Sequence, residues 1–217
     1  MLPHHIITAV HFLILDVAHR LETPSPRVIG AAIFTGTIEN GDVEFQLDAT
    51  VLGPGATAAS LLPWLDDRLD PRATLTGYGL SHNASLLARS SHGVMPSITE
   101  ALAGRGRHPI IELAAARVDG DPATFAASCL QAGLPCSVPQ SSHDFLAWLL
   151  KHPVPLIHQL EIDVISAWRL AMARIGATTA LGRRIGSVID AHLIDWLKIT
   201  DFPAGTIHLD NLSPTDG

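Results

Sequence analysis

His11-Phe12-Leu13-Ile14-Leu15-Asp16-Val17-Ala18 is the stretch from which the rest of the chain is read. It is an apolar run broken by one carboxylate, with a change of character at His19-Arg20. A short apolar run bounded by polar residues suits a strand buried on both faces. A carboxylate at the end of such a strand is costly to bury unless something pairs with it. Asp16 therefore either sits at an exposed strand tip or holds a cation, and this stretch alone leaves both readings open. A second carboxylate, Asp163, lies far along the chain in Leu160-Glu161-Ile162-Asp163-Val164-Ile165. Its apolar neighbours imply a well-buried helix, on which an inward-facing Asp would need a partner.

Composition bounds the answer. The chain has 217 residues, 47% hydrophobic and 16% charged, which allows a generous core. No linker, low-complexity run or internal repeat divides it. We expect one domain over 1–217, with its core at about 10–199 and a loosely held tail from 200. No apolar segment reaches the length of a membrane span, and the N-terminus lacks the basic start and cleavage site of a secretory signal. Cys129 and Cys136 form neither a disulfide framework nor a CxxC metal pair. The expected setting is reducing and cytoplasmic, with no membrane partner. A net charge of −7 offers no general attraction for a phosphate backbone. Arg183-Arg184 is the only tight basic pair and Arg105-Gly106-Arg107 a looser one. An aromatic content of 5% argues against extended base-stacking platforms.

Taken in order, Met1–Ile7 reads as a lead-in and the first strand as about Val10–Val17. A turn spans Leu21–Arg27, a second strand Val28–Phe34, and a third Val43–Leu47 after the hairpin signal Asn40-Gly41. The pattern predicts a helix over Ala56–Leu69 and a strand over Ala73–Gly77. The next helix is expected to open at Asn83 as its N-cap, and a fifth strand to cover Pro109–Leu113. Asp121-Pro122 opens a helix running to Gly133. Helices follow at Asp144–Lys151, at Pro155–Ile175 with Gly176 as C-cap, and at Thr179–Ile199. Strands first, then alternation, then helices imply an α/β chain: a mixed sheet with helices packed on it.

Four segments carry a resemblance to a known family. They are Phe12–Ala18; Leu75–Leu87 with Ser81-His82-Asn83; His108–Leu113 followed by Phe125–Pro135 with Gly133-Leu134-Pro135; and Leu160–Ile165 through Gly176. In order and spacing they resemble the DEDD-type 3′–5′ exonucleases of the ribonuclease H-like fold, in the branch related to the proofreading domain of family B polymerases. The resemblance implies a five-stranded mixed sheet with three antiparallel leading strands, flanked by helices. It also implies phosphodiester hydrolysis by two Mg²⁺ or Mn²⁺ ions held in a cage of carboxylates, with a Tyr or His orienting the attacking water.

The chain departs from that pattern at the chemistry. Asp16 and Asp163 match the family's metal ligands. Ala18 stands where the family has Glu, and Asn83 where it has Asp. Gln159 falls at the position of the tyrosine subclass and His158 at that of the histidine subclass, which makes His158 the candidate base. Each lost charge-assisted contact is worth roughly 1.5–3 kcal/mol, so the expected metal site is weak. Glu22, Asp48 and Glu112 are possible substitutes that the sequence cannot place. Against these roles, Asn83 is explained as a helix cap and Glu112 as a strand-end acid. Trp148, Trp168 and Trp196 read as packing residues, and Arg183-Arg184 as solvated surface. Three functions stay open: an active exonuclease with a rearranged site, a silent relative that binds single-stranded DNA, RNA or a protein partner, and a structural or regulatory module. The missing Glu and Asp favour silence.

Overall fold

The computed structural model describes residues 5–15, 26–39, 41–91, 95–114, 124–138, 140–177, 180–200 and 202–212, apart from the side chain of Leu181. Asp16, Ala18, Glu22, the Leu21–Ser25 part of the expected turn and Asp121-Pro122 lie outside the described residues.

Five strands form one sheet in the order β3-β2-β1-β4-β5. They are β1 (His5–Leu15), β2 (Arg27–Glu39), β3 (Asp42–Val51), β4 (Thr74–Gly77) and β5 (Ile110–Glu112). β1, β2 and β3 run antiparallel to their neighbours, whereas β4 lies parallel to β1 and β5 parallel to β4. This is the mixed sheet, flanked by helices, that the ribonuclease H-like resemblance implies. β2 and β3 pair as a tight hairpin, with Glu39 opposite Asp42. Gly41 enters β3 with φ of +91°, which costs a glycine little.

Alternation along the strands sorts the core into two layers. Ile6, Val10 and Phe12 of β1 face one side, where they meet α1 (Leu61–Asp66), α2 (Leu80–Ser90) and α3 (Pro96–Leu102). Ile7 and Ala9 face the other, where Phe34 of β2 joins them against α6 (Val154–Ala177) and α7 (Ala180–Thr200). α4 (Phe125–Gln131), α5 (Ser141–Leu149) and α8 (Pro203–Leu212) complete the helices among the described residues. α6 is apolar around most of its circumference because the sheet, α5, α7 and α8 all press on it. Its Trp168 is fully buried and donates its indole N–H to the Ile7 carbonyl at 3.1 Å. That ring lies over Gly36, where an added Cβ would stand 2.6 Å from Cζ2, so no larger residue fits without displacing the Trp168 ring. Phe34, Phe45 and Trp168 pack with centroids 5.4–5.5 Å apart, which ties β2, β3 and α6 together.

Several expected boundaries move. β1 begins at His5, with Ile6 and Ile7 buried, because the β1–β2 ladder continues to Ile38. The helix expected over Ala56–Leu69 is a 3₁₀ turn at Ala58–Ser60 followed by the short α1. Pro63 has no N–H to give the turn before it, so a continuous α-helix cannot run through. Helix α3 has no counterpart among the elements expected from the sequence. Within the tail from Thr200, the described helix α8 is packed on the core, burying Ala204, Gly205 and His208. No helix among the described residues is long and apolar enough to cross a membrane.

Candidate functional site

In a parallel sheet, ligands gather where strands present their carboxyl ends. Here that edge is formed by β1, β4 and β5, with α6 passing across it. Tyr78 and Gly79 follow β4, and Glu112 closes β5. The Glu112 carboxylate does not face outward. Its Oε1 accepts the N–H groups of Gly79 at 2.8 Å and Ala114 at 2.9 Å, and its Oε2 accepts Leu80 N–H at 2.9 Å. It is a negative charge seated on the first N–H groups of α2, where the helix dipole favours it. This corrects the expected start of that helix: α2 opens at Leu80, with Gly79 at φ +66° before it, because Glu112 supplies the capping acceptor from another strand. Asn83 is therefore inside the helix. It is buried, and its Nδ2 donates to the Tyr78 carbonyl at 3.2 Å.

Asp163 projects from α6 into the middle of this edge and is 7% exposed. Its Oδ1 accepts the backbone N–H of Ser137 at 2.8 Å, and its Oδ2 accepts the Ser137 hydroxyl at 2.5 Å. Nε2 of His11 lies 3.5 Å from the same Oδ2. Burial holds the His11 imidazole below its ordinary pKa, against the pull of Asp163, so the ring is neutral at pH 7. Phe125 sits between His11 and Tyr78, with centroids 5.0 and 5.6 Å away. The thiols of Cys129 and Cys136 complete the surroundings. Burial chiefly, and Asp163 with it, raises both; Cys129 is pushed up to about 12. Both cysteines are free thiols.

These groups do not compose a nucleophilic centre. In an activated serine the imidazole takes the hydroxyl proton and the carboxylate stands behind it. Here the carboxylate is in the middle, so the Ser137 proton points at Asp163. The thiols are held protonated and are poor nucleophiles. The arrangement does something else: it fastens the connection between α4 and α5 to α6. Ser166 on α6 donates its hydroxyl to the Pro135 carbonyl, Asn211 of α8 donates to the Gly133 carbonyl at 2.9 Å, and Asp163 holds Ser137. Asp144, buried, accepts Gln140 N–H at 3.0 Å and Gln159 Nε2 at 2.8 Å. Two buried aspartates thus accept the Ser137 and Gln140 N–H groups of one irregular segment and hold it against α6 and the start of α5.

The sequence-predicted residues are only partly brought together. Gln159 shares the face of Asp163, one turn away, but is bonded to Asp144. His158 stands five positions before Asp163, which turns it about 140° around the helix. Its Nε2 is buried with no hydrogen-bond partner among the described residues. Asp48, offered as a substitute ligand, lies on β3 beside Arg68 at 3.5 Å. His11 is the residue that the strand does set against Asp163. From there β1 runs on for four more positions, about 13 Å, to Leu15, which packs on Phe145 and Trp148. In the sequence His11 reads only as the border of an apolar run. The signal available is parity: it shares the face of Ile7, Ala9 and Leu13. Nothing in the sequence marks Ser137.

A divalent cage needs several oxygen donors with free lone pairs converging on one point. Among the described residues no group of three or more His, Cys, Asp or Glu is placed to hold a metal ion. Asp163 and Glu112 already accept hydrogen bonds on both oxygens. The described donor set does not fit the two-metal arrangement.

On the far side of α6, Arg169 is held by Asn211 Oδ1 at 2.8 Å and by His208 Nδ1 at 3.3 Å. His208 donates from Nε2 to the Ile162 carbonyl at 3.0 Å. With Nδ1 accepting from a guanidinium the ring must be neutral, and burial pushes its pKa down to about 4.

No family model matches the chain, and no curated protein matches it. A crystal structure of exonuclease I in complex with inhibitor BCBP matches with 11% sequence identity and a TM-score of 0.46, over 90% of this chain and 46% of that one. The chain thus spans about half the length of that structure. The fold assignment here rests on the order and directions of the strands themselves.

Proposed function

We propose that this chain is an exonuclease-like, ribonuclease H-like domain that is catalytically silent, and that it works as a structural or regulatory module toward a protein partner. One observation carries the reading: the carboxylate of Asp163 is engaged on both oxygens by Ser137, so the residue that would ligate metal serves as an internal clamp. Ala18 and Asn83, in place of the family's Glu and Asp, point the same way. So does the engagement of Glu112 at the start of α2. The net charge of −7, with Arg183-Arg184 as the one tight basic pair, favours a protein over a nucleic-acid partner.

Degradation of 3′-labelled single-stranded DNA and an equivalent RNA in Mn²⁺ tests this. Intact substrate is expected from the wild type and from Asp16→Ala and Asp163→Ala alike. Cleavage that both substitutions abolish would overturn the proposal and restore a working metal site.

A further inference from the structure

Nothing in their spacing requires Cys129 and Cys136 to meet, but the end of α4 brings them together. Leu134 N–H bonds the Cys129 carbonyl at 2.9 Å and Gly133 N–H the Leu130 carbonyl at 3.1 Å, with Gly133 at φ +66°. This paired closure turns the chain back on the helix it has just left. Cys136 then packs against the same core layer as Cys129, and the Cys129 thiol donates a hydrogen bond to Cys136 Sγ. The segment carrying Cys136 is fixed on either side of it. The Pro135 carbonyl is held by Ser166 of α6, and the Ser137 N–H by Asp163 at 2.8 Å. Access to the sulfurs differs: Cys129 is fully buried and Cys136 partly exposed.

We propose that Cys129 and Cys136 are a dithiol that a low-molecular-weight disulfide converts to an intramolecular disulfide, bridging α4 to the segment clamped on α6. Cys136, the accessible sulfur, gives its proton to solvent and attacks one sulfur of the small disulfide. A mixed disulfide forms at Cys136, and the first small thiolate leaves and takes up a proton. Cys129 then loses its proton, and its sulfur attacks Cys136 Sγ. That bond closes the bridge and expels the second small thiolate, which is protonated in turn. Two protein thiols are oxidised and one small disulfide is reduced to two thiols, with no other co-reactant. The thiol–thiol hydrogen bond already sets sulfur against sulfur, so closing the bridge asks for little backbone movement. Both thiols are held protonated by their surroundings, so exchange is slow. The equilibrium is not limited in that way. It depends on how closely the fold holds the sulfurs, an effective concentration set by geometry.

The test equilibrates the full chain in anaerobic buffers of reduced and oxidised glutathione, both folded and unfolded in urea, starting from reduced and from oxidised protein. Maleimide addition after denaturation, read by intact mass, counts the free thiols. The unfolded chain keeps the same spacing, so the difference between the two curves is the contribution of the fold. The folded protein is expected to pass from two maleimide adducts to none while staying monomeric. Its midpoint should lie roughly tenfold or more further toward reduced glutathione than that of the unfolded chain. In folded Cys129→Ser, glutathione should accumulate as a mixed disulfide on Cys136. In folded Cys136→Ser, the buried Cys129 should stay a free thiol. A folded wild type that keeps both thiols where the unfolded chain is bridged, or that bridges no more readily than it, overturns the inference. So does glutathione that adds to Cys129 in Cys136→Ser and not to Cys136 in Cys129→Ser.

Discussion

Replacing Asp163 separates a clamp from a metal ligand through stability alone. Asp163→Ala removes the acceptor of two hydrogen bonds from Ser137, at 2.8 and 2.5 Å, both to an ionised carboxylate. Charge-assisted bonds contribute about 1.5–3 kcal/mol each. Ser137 is half-buried, so water recovers part of the loss, and a net cost of about 3 kcal/mol is expected. In a chain of this size that lowers Tm by about 6–12 °C. Asp163→Asn keeps an acceptor for the Ser137 N–H and should cost about 1 kcal/mol. Ser137→Ala leaves the backbone bond and should cost about 1.5 kcal/mol. Because the two residues share a bond, their double variant should fall short of additivity by about 1 kcal/mol. Thermal and urea unfolding in EDTA give all four numbers. A carboxylate kept for metal is a strained, repulsive group in the metal-free protein, and its neutralisation relieves that strain. An Asp163→Asn protein as stable as the wild type or more so in EDTA, with no coupling to Ser137→Ala, would refute the clamp.

Two further outcomes follow from neighbouring groups. The unfolded chain binds a proton at His208 near pH 6.5 and the folded chain only near 4, so stability is full above 6.5 and is lost as pH falls toward 4. The loss should be about 3 kcal/mol, measurable as a steeper fall of Tm between pH 6.5 and 4 than in His208→Gln. Glu112→Ala strips the acceptor from the first N–H groups of α2 and should cost about 2 kcal/mol, with Glu112→Gln costing about half; urea unfolding checks both.

The strands are legible because their signals are local. β-Branched and aromatic runs mark β2, and Asn40-Gly41 marks the hairpin to β3. The long central helix is legible because its apolar run exceeds any strand. What escapes is decided by contacts between distant segments. Asn83 looks like a helix cap until Glu112, from a strand well downstream, is seen to supply the acceptor. The last helix looks like a tail because Pro203 and Gly205 weaken its propensity; His208, reaching back to Ile162, anchors it. The site is half-legible for the same reason. Asp163 can be singled out as a buried acid on an apolar helix, but its partner Ser137 sits in an irregular segment with no periodicity to read. His11 faces Asp163 only because β1 crosses beneath α6. Asp16, the other expected ligand, lies outside the described residues.

The most direct test of the account is the thermal stability of the wild type and Asp163→Asn with and without about 1 mM Mn²⁺, in excess of any functional site. A clamp at Asp163 predicts that Mn²⁺ moves both Tm values by the same small amount, about 1 °C or less. A cage built on Asp163 with a Kd of about 10 µM would stabilise the wild type by about 2.7 kcal/mol, or about 5–10 °C. A shift of that size, lost in Asp163→Asn, would contradict the account.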